Sequence, residues 1–279
     1  ATTPDYLVNR FAFSYVYSVN RMLIDPPGTT TDGRFVGMAP EQFVGTKLPP
    51  LPGSGESLKR VGDHFFWPTL LTGLTATRSK FRELAPRASV VQLFTHADTL
   101  QREPVLYFAD SLLRLSELQT GPVFQPQLVV LSARRTGVGS HQNGEGVFSL
   151  ARGFAALGVS SMLTTLWSVD SRSTYTLTEL FYAGLAAGLD KDIALQRAKQ
   201  EWLRTASRSQ QLPSTWAGLI LIGDSQPLRQ SGLTLTESVC WIGGGLIGLL
   251  GVIWFIRRGR GQAIKAVTTQ SVNWKPSLN

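Results

Sequence analysis

The stretch Leu128-Val-Val-Leu-Ser-Ala-Arg-Arg-Thr-Gly137 limits the folds open to this chain more than any other part of it. Apolar and small residues run without alternation into a polar turn ending on glycine, the pattern of a strand buried on both faces of a parallel sheet. A second run, Ser89-Val-Val-Gln-Leu-Phe-Thr-His96, has the same form and ends on a histidine. Open α/β folds place their chemistry at the carboxyl edge of such strands, so His96, Arg134 and Arg135 are expected at one site. That site lacks an obvious nucleophile.

The segments around these runs alternate between strand and helix signals. Tyr6 to Ser18 alternates and is aromatic-rich, which predicts a strand, and Phe35-Val-Gly-Met38 predicts another after a turn-rich link. Pro49, Pro50, Pro52 and Gly53 mark a loop before a short helix from Ser54 to about Val61. Thr75 or Thr77 is a cap for a helix through Leu84, stopped by Pro86. Residues 99–127 read mostly as loop, with a helical turn or two around Leu112 to Leu118. After the central turn, Val147, Leu150, Ala151, Phe154 and Leu157 form an apolar stripe at helical spacing, closed by Gly158. A strand is expected over Ser161 to Trp167, a helix from Asp170 to about Ala187, another from Asp190 through Trp202, and a last buried strand over Trp216 to Asp224. This succession argues an α/β fold with a largely parallel sheet.

Composition narrows the function classes. At 279 residues and 43% apolar content, the chain can bury one sizeable core. Its formal charge of +8 raises nucleic-acid binding as an idea. Arg257, Arg258, Arg260, Lys265 and Lys275 all lie in residues 257–279, where there is no acid, so the body is only mildly basic and no nucleic-acid partner is expected. The single cysteine, Cys240, excludes an intrachain disulfide and a multi-cysteine metal site, and neither metal nor cofactor is expected. The chain starts at Ala1 with no charged-then-apolar leader, which suggests a processed or cut amino terminus.

Several motifs, in order, resemble those of the CHAT domain family, caspase-like and separase-like bacterial proteins often found behind tetratricopeptide repeats. The family's strand followed by Ser-Ala-Cys-Glu-Thr-Gly and then Gly-Glu-Gly is similar to Leu131-Ser-Ala-Arg-Arg-Thr-Gly137 and Gly144-Glu-Gly146. Its Ala-Thr-Leu-Trp-Ser-Val-Asp-Asp resembles Thr164-Thr-Leu-Trp-Ser-Val-Asp-Ser171, and its Trp-Ala ending resembles Trp216 to Asp224. Its Ala-Thr-His-Gly segment is echoed by Phe94-Thr-His-Ala97, with alanine in place of the glycine. The resemblance implies a caspase-like, three-layer α/β/α domain over residues 1–227, lacking the family's first strand upstream of Tyr6.

The resemblance also implies a cysteine peptidase in active members, with a His–Cys dyad and backbone amides for the oxyanion. His96 falls on the general base. Arg134 falls on the nucleophile and Arg135 on the acid that follows it. A guanidinium has no nucleophilic lone pair at ordinary pH, so the family's chemistry is absent as written. The expected function is a catalytically inactive homologue that binds a protein or peptide partner, acidic peptides being favoured by Arg134 and Arg135. The alternative is a residual hydrolase in which His96 activates Ser132, two residues before Arg134; no acid to orient His96 can be named. Plainer roles stand beside these. His96 also reads as a relic or a hydrogen-bonded structural histidine, Arg134 as paired with Asp110, Glu145 or Asp170, Glu145 as a tether of a helix start, and Asp170 as a cap.

Beyond a linker at 228–237, residues 238–256 run from Ser238 to Ile256 without a charge. As a helix they extend about 28 Å, enough to cross a hydrocarbon core. Trp241 and Trp254 sit near the two ends, as interfacial anchors do. A single-pass transmembrane helix is therefore expected, with Arg257, Arg258 and Arg260 placing the basic tail, 257–279, in the cytoplasm. The domain would then lie outside the cytoplasm if an export signal precedes it, and inside if none does. Gly244 and Gly248 are spaced to let two spans pack closely, which makes a homodimer a candidate assembly.

Overall fold

The structure, a computed structural model, describes residues 5–17, 33–101, 103–124, 126–135 and 145–229, with residues 133–135 and 145–149 described through their backbone. The run at 238–256, the tail at 257–279 and the Gly244/Gly248 pair lie outside the described residues. Among the described residues no helix is long and apolar enough to cross a membrane.

The described strands form one sheet. In chain order they are β1 (Phe35–Ala39), β2 (Thr69–Thr72), β3 (Val90–Leu100), β4 (Glu103–Tyr107), β5 (Leu112–Arg114), β6 (Leu128–Arg135), β7 (Ser161–Thr165) and β8 (Leu219–Gly223). The spatial order is β2-β1-β3-β6-β7-β8, parallel except for β8, which runs antiparallel to β7. β4 and β5 leave this path as an antiparallel ribbon paired to the end of β3.

The unalternated apolar runs find their reason in two cores, one on each face. Val129 and Leu131 of β6 join Phe81 of α2 (Arg78–Leu84), and Leu150 and Phe154 of α3 (Glu145–Ala156), on one face. Leu128 and Val130 meet Leu58 and Val61 of α1 (Ser54–Gly62), Phe181 of α4 (Ser171–Ala186), and Leu195 and Trp202 of α5 (Lys191–Thr205) on the other. Burial decides helicity where propensity alone is poor. Thr174, Thr176 and Thr178 each cost α4 up to about 0.7 kcal/mol as helix formers. Fully burying Leu177 and Phe181 returns roughly 1.5–3 kcal/mol each.

Helix starts follow the capping chemistry. The Thr77 hydroxyl accepts from the Lys80 amide at 3.3 Å at the start of α2, and Asp170 caps α4. Asp190 holds the N-cap position of α5 without a side-chain capping bond. Gly158, at φ 103°, takes the left-handed conformation expected of a helix stop.

Three expectations are corrected, and one strand was not foreseen. Among the described residues of Tyr6 to Ser18, which end at 17, there is no strand: Leu7–Asn9 is a short 3-10 helix, and only Tyr15 bridges β8, at Ile222. Alternation marks a strand when one face is buried, and here Leu7, Phe11 and Phe13 are all exposed. Residues 99–127 are not mostly loop, because β3 runs on to Leu100 and pairs with the ribbon. The ribbon strands are too short to show a period, and what holds them is burial of Leu106 and Leu113 in the first core. Thr69-Leu-Leu-Thr72 forms β2, a half-buried strand too short to stand out. Trp216 ends a short helix, α6 (Pro213–Trp216), so the last strand begins only at Leu219.

Candidate functional site

β3 and β6 place the candidate residues in register. Phe94 lies opposite Ser132, His96 opposite Arg134, and Ala97 opposite Arg135. His96 is not the end of its strand. Beyond it β3 turns its pairing toward β4, with Ala97 opposite Leu106, so His96 stands where the parallel sheet and the ribbon part. The Thr95 hydroxyl, donating to the Tyr107 carbonyl, fastens the ribbon at that junction.

The imidazole of His96 is fully buried, with its Nε2 2.8 Å from the Pro49 carbonyl oxygen and its ring 4.7 Å from that of Phe43. A carbonyl oxygen only accepts, so Nε2 carries a proton and donates it to Pro49. The loop after β1 supplies that carbonyl. Its position is set by Leu51, whose amide donates to the Glu41 carbonyl at 3.0 Å, and by Glu41 Oε1, which accepts from the Gly55 amide at 3.3 Å. Sequence reasoning looked for an acid to orient His96 and missed the Pro49 carbonyl. A proline-rich loop upstream was the visible signal, but backbone acceptors leave no mark on residue type.

Ser132 belongs to a different network. Gln92 Nε2 donates to its Oγ at 3.3 Å, and the Oγ lies 3.0 Å from Thr178 Oγ1. Because the Thr178 hydroxyl donates to the Thr174 carbonyl at 2.8 Å, Ser132 must give its only proton to Thr178. Ser132 is thus tied to α4 and turned to that helix, while the Nε2 of His96 is turned to the loop after β1. Among the described residues no hydrogen bond joins the two.

Asp170 follows β7 at the same carboxyl edge. Its carboxylate accepts from the amides of Arg172 at 3.1 Å and Ser173 at 2.9 Å, and from the Ser173 hydroxyl. Burial pushes its pKa up, but the Ser173 hydroxyl and amide, the Arg172 amide and the Arg172 charge outweigh burial and hold it below the ordinary value. Asp170 is a helix cap at the rim of the site. The side chains of Arg134, Arg135 and Glu145 lie outside the described residues, so the structure places these three only by backbone, on β6 and at the start of α3. Among the described residues no group of three or more His, Cys, Asp or Glu side chains could hold a metal ion.

Residues 2–224 match the model of the CHAT domain. The chain belongs to the CHAT domain family. Its curated relatives include tetratricopeptide repeat protein 28 of Homo sapiens, 33% identical over 115 residues, and of Mus musculus, 33% identical over 141 residues. These alignments take in 40% and 49% of this chain but only 4% and 5% of those proteins, so the similarity is to a small part of each. Among solved structures, this CHAT domain is similar to the Arg-specific cysteine proteinase gingipain R, with a TM-score of 0.46 and 11% identity over 72% of this chain and 48% of that one. It is also similar to the Drosophila initiator caspase Dronc, with a TM-score of 0.40 and 10% identity over 70% of this chain and 84% of that one.

Proposed function

We propose that this CHAT domain is a catalytically silent peptidase homologue that binds a protein or peptide partner at the carboxyl edge of β3 and β6. The reading rests on the register that sets Arg134 opposite His96. The base position keeps a buried, oriented imidazole, whereas the position facing it carries a permanent cation that cannot form an acyl intermediate. Arg134 and Arg135 favour a carboxylate-bearing peptide, since guanidinium groups pair with carboxylates in a fixed, two-pronged geometry. Residues 238–256 are proposed to tether the domain to a bilayer as a single span, with the tail at 257–279 on the cytoplasmic side.

No observation favours the rival in which Ser132 attacks, because its proton is committed to Thr178. The deciding experiment is Arg134→Cys in a Cys240→Ala background, assayed with a peptidyl thiol-reactive electrophile and a fluorogenic peptide library. The parent protein is expected to hydrolyse nothing. The variant is expected to take up the electrophile at a rate that falls at least about tenfold when His96→Ala is added, the scale of general-base assistance to a thiol. Peptide cleavage by the unaltered protein, abolished by His96→Ala, would show that the domain is an enzyme.

A further inference from the structure

The edge of the sheet opposite the candidate site carries a feature that neither the fold nor the silent peptidase site uses. Between α1 and β2 runs Asp63-His-Phe-Phe-Trp-Pro68. Phe65 is the anchor of this loop, its ring stacked 4.3 Å from that of Phe35 and 5.8 Å from that of Tyr182. The next two aromatics turn outward. Phe66 is 43% exposed and Trp67 is 81% exposed, their rings 5.5 Å apart. Trp67 also holds φ at 82°, a left-handed conformation that is costly for a bulky residue and that the core contacts of its neighbour impose. Folding alone gives no return for a strained tryptophan left in water.

The topology says what this edge is near. Trp67 precedes β2 and Gln127 precedes β6, and the two strands run the same way, so both residues lie at the amino edge of the sheet. Gln127 also grips the end of the described chain: its Oε1 accepts from the Arg229 amide at 2.8 Å and its Nε2 donates to the Arg229 carbonyl at 2.6 Å. Arg229, the last described residue, is therefore held at this edge. Residues 230–237 then reach at most about 28 Å, fully extended, before the uncharged run at 238–256 begins. Arg34, Arg87 and Arg229 are exposed at the same edge, together with the acids Asp63 and Asp190. At the far end of the edge, Tyr15 and Val16 lie exposed beside Ile222 of β8.

We propose that the amino edge is a lipid-docking surface, with Phe66 and Trp67 seated at the headgroup level of an anionic bilayer and the exposed arginines over its phosphates. Tryptophan prefers that interface because its ring is apolar and its N–H is polar. Each basic side chain near an anionic surface adds attraction that falls off within a Debye length. Docking in this way turns the carboxyl edge, with His96 and residue 134, away from the bilayer and toward partners. The inference rests on the single-span tether proposed above.

The full chain, in a Cys240→Ala background and reconstituted into vesicles of phosphatidylcholine and phosphatidylglycerol at 7:3, tests it. An environment-sensitive nitrobenzoxadiazole label is placed by Trp67→Cys, and in a second protein by Val44→Cys, an exposed position after β1 at the opposite edge. Docking predicts blue-shifted emission at position 67, quenching there by brominated lipid, and iodide quenching about threefold weaker than at position 44. Equal iodide quenching at both positions, in protein that floats with the vesicles after carbonate washing, overturns the docking surface and leaves the tether standing. Protein that carbonate strips from the vesicles overturns the tether, and the docking inference falls with it.

Discussion

A Cβ built on Gly37 would stand 2.3 Å from Leu58 Cδ1 and 2.9 Å from Phe35 Cε1, so the centre of β1 has no room for a methyl group. Gly37→Ala is expected to lower stability by about 1–3 kcal/mol, the lower end if Leu58 can swing aside, as read from denaturant midpoints at constant slope. The same strand pair shows how far single residues can be read. The strand patterns and the family resemblance marked His96 and Arg134 as neighbours, and the register places them opposite each other. They did not reveal that the Pro49 carbonyl orients the imidazole, nor that Ser132 serves α4, because both depend on what the fold brings within 3 Å or so.

At the scale of elements, α4 depends on its first turn. Asp170 satisfies two amides that the helix itself leaves without partners, so Asp170→Ala is expected to cost about 1 kcal/mol in thermal or denaturant unfolding. The folded pKa of Asp170 is lowered from 3.8, so its contribution is present above that value and is lost as pH falls through the lowered folded value. Asp170→Asn keeps an acceptor and should lose less at neutral pH while removing this share of the acid limb. Comparing the three proteins between pH 2 and 7 checks both parts. Caps and unalternated runs were legible in sequence because each rests on neighbours within a turn. The ribbon of β4 and β5, and β2, were not, since strands of three to five residues show no period and owe their form to the core beneath them.

The whole molecule carries a cost at Lys199, which α5 buries beside Trp216, with its Nζ 5.9 Å from that ring's centroid. Burial lowers its pKa from 10.5 to about 8. A cation with a lowered folded pKa destabilises the fold while both states are charged, and the penalty is relieved as pH rises from about 8 toward 10.5. Stability should therefore climb across that window by up to about 3 kcal/mol from this group. Lys199→Met should flatten the climb and raise the melting temperature at pH 7, as a scan of thermal midpoints from pH 7 to 10 would register. Lys191 differs in kind: burial lowers its pKa, but its ammonium pairs with Asp224 at 3.1 Å, so its removal orphans a partner.

Taken alone, the amino-acid order settled the α/β class, the parallel central strands, most helix starts and the family, because each is written in spacing and short motifs that act over a few residues. Tertiary structure decided the antiparallel last strand, the ribbon that carries β3 past His96, the loss of the expected first strand, and the partners of His96, Ser132 and Lys191. Those outcomes depend on which surfaces meet across the sheet, and that geometry exists only once both cores have closed.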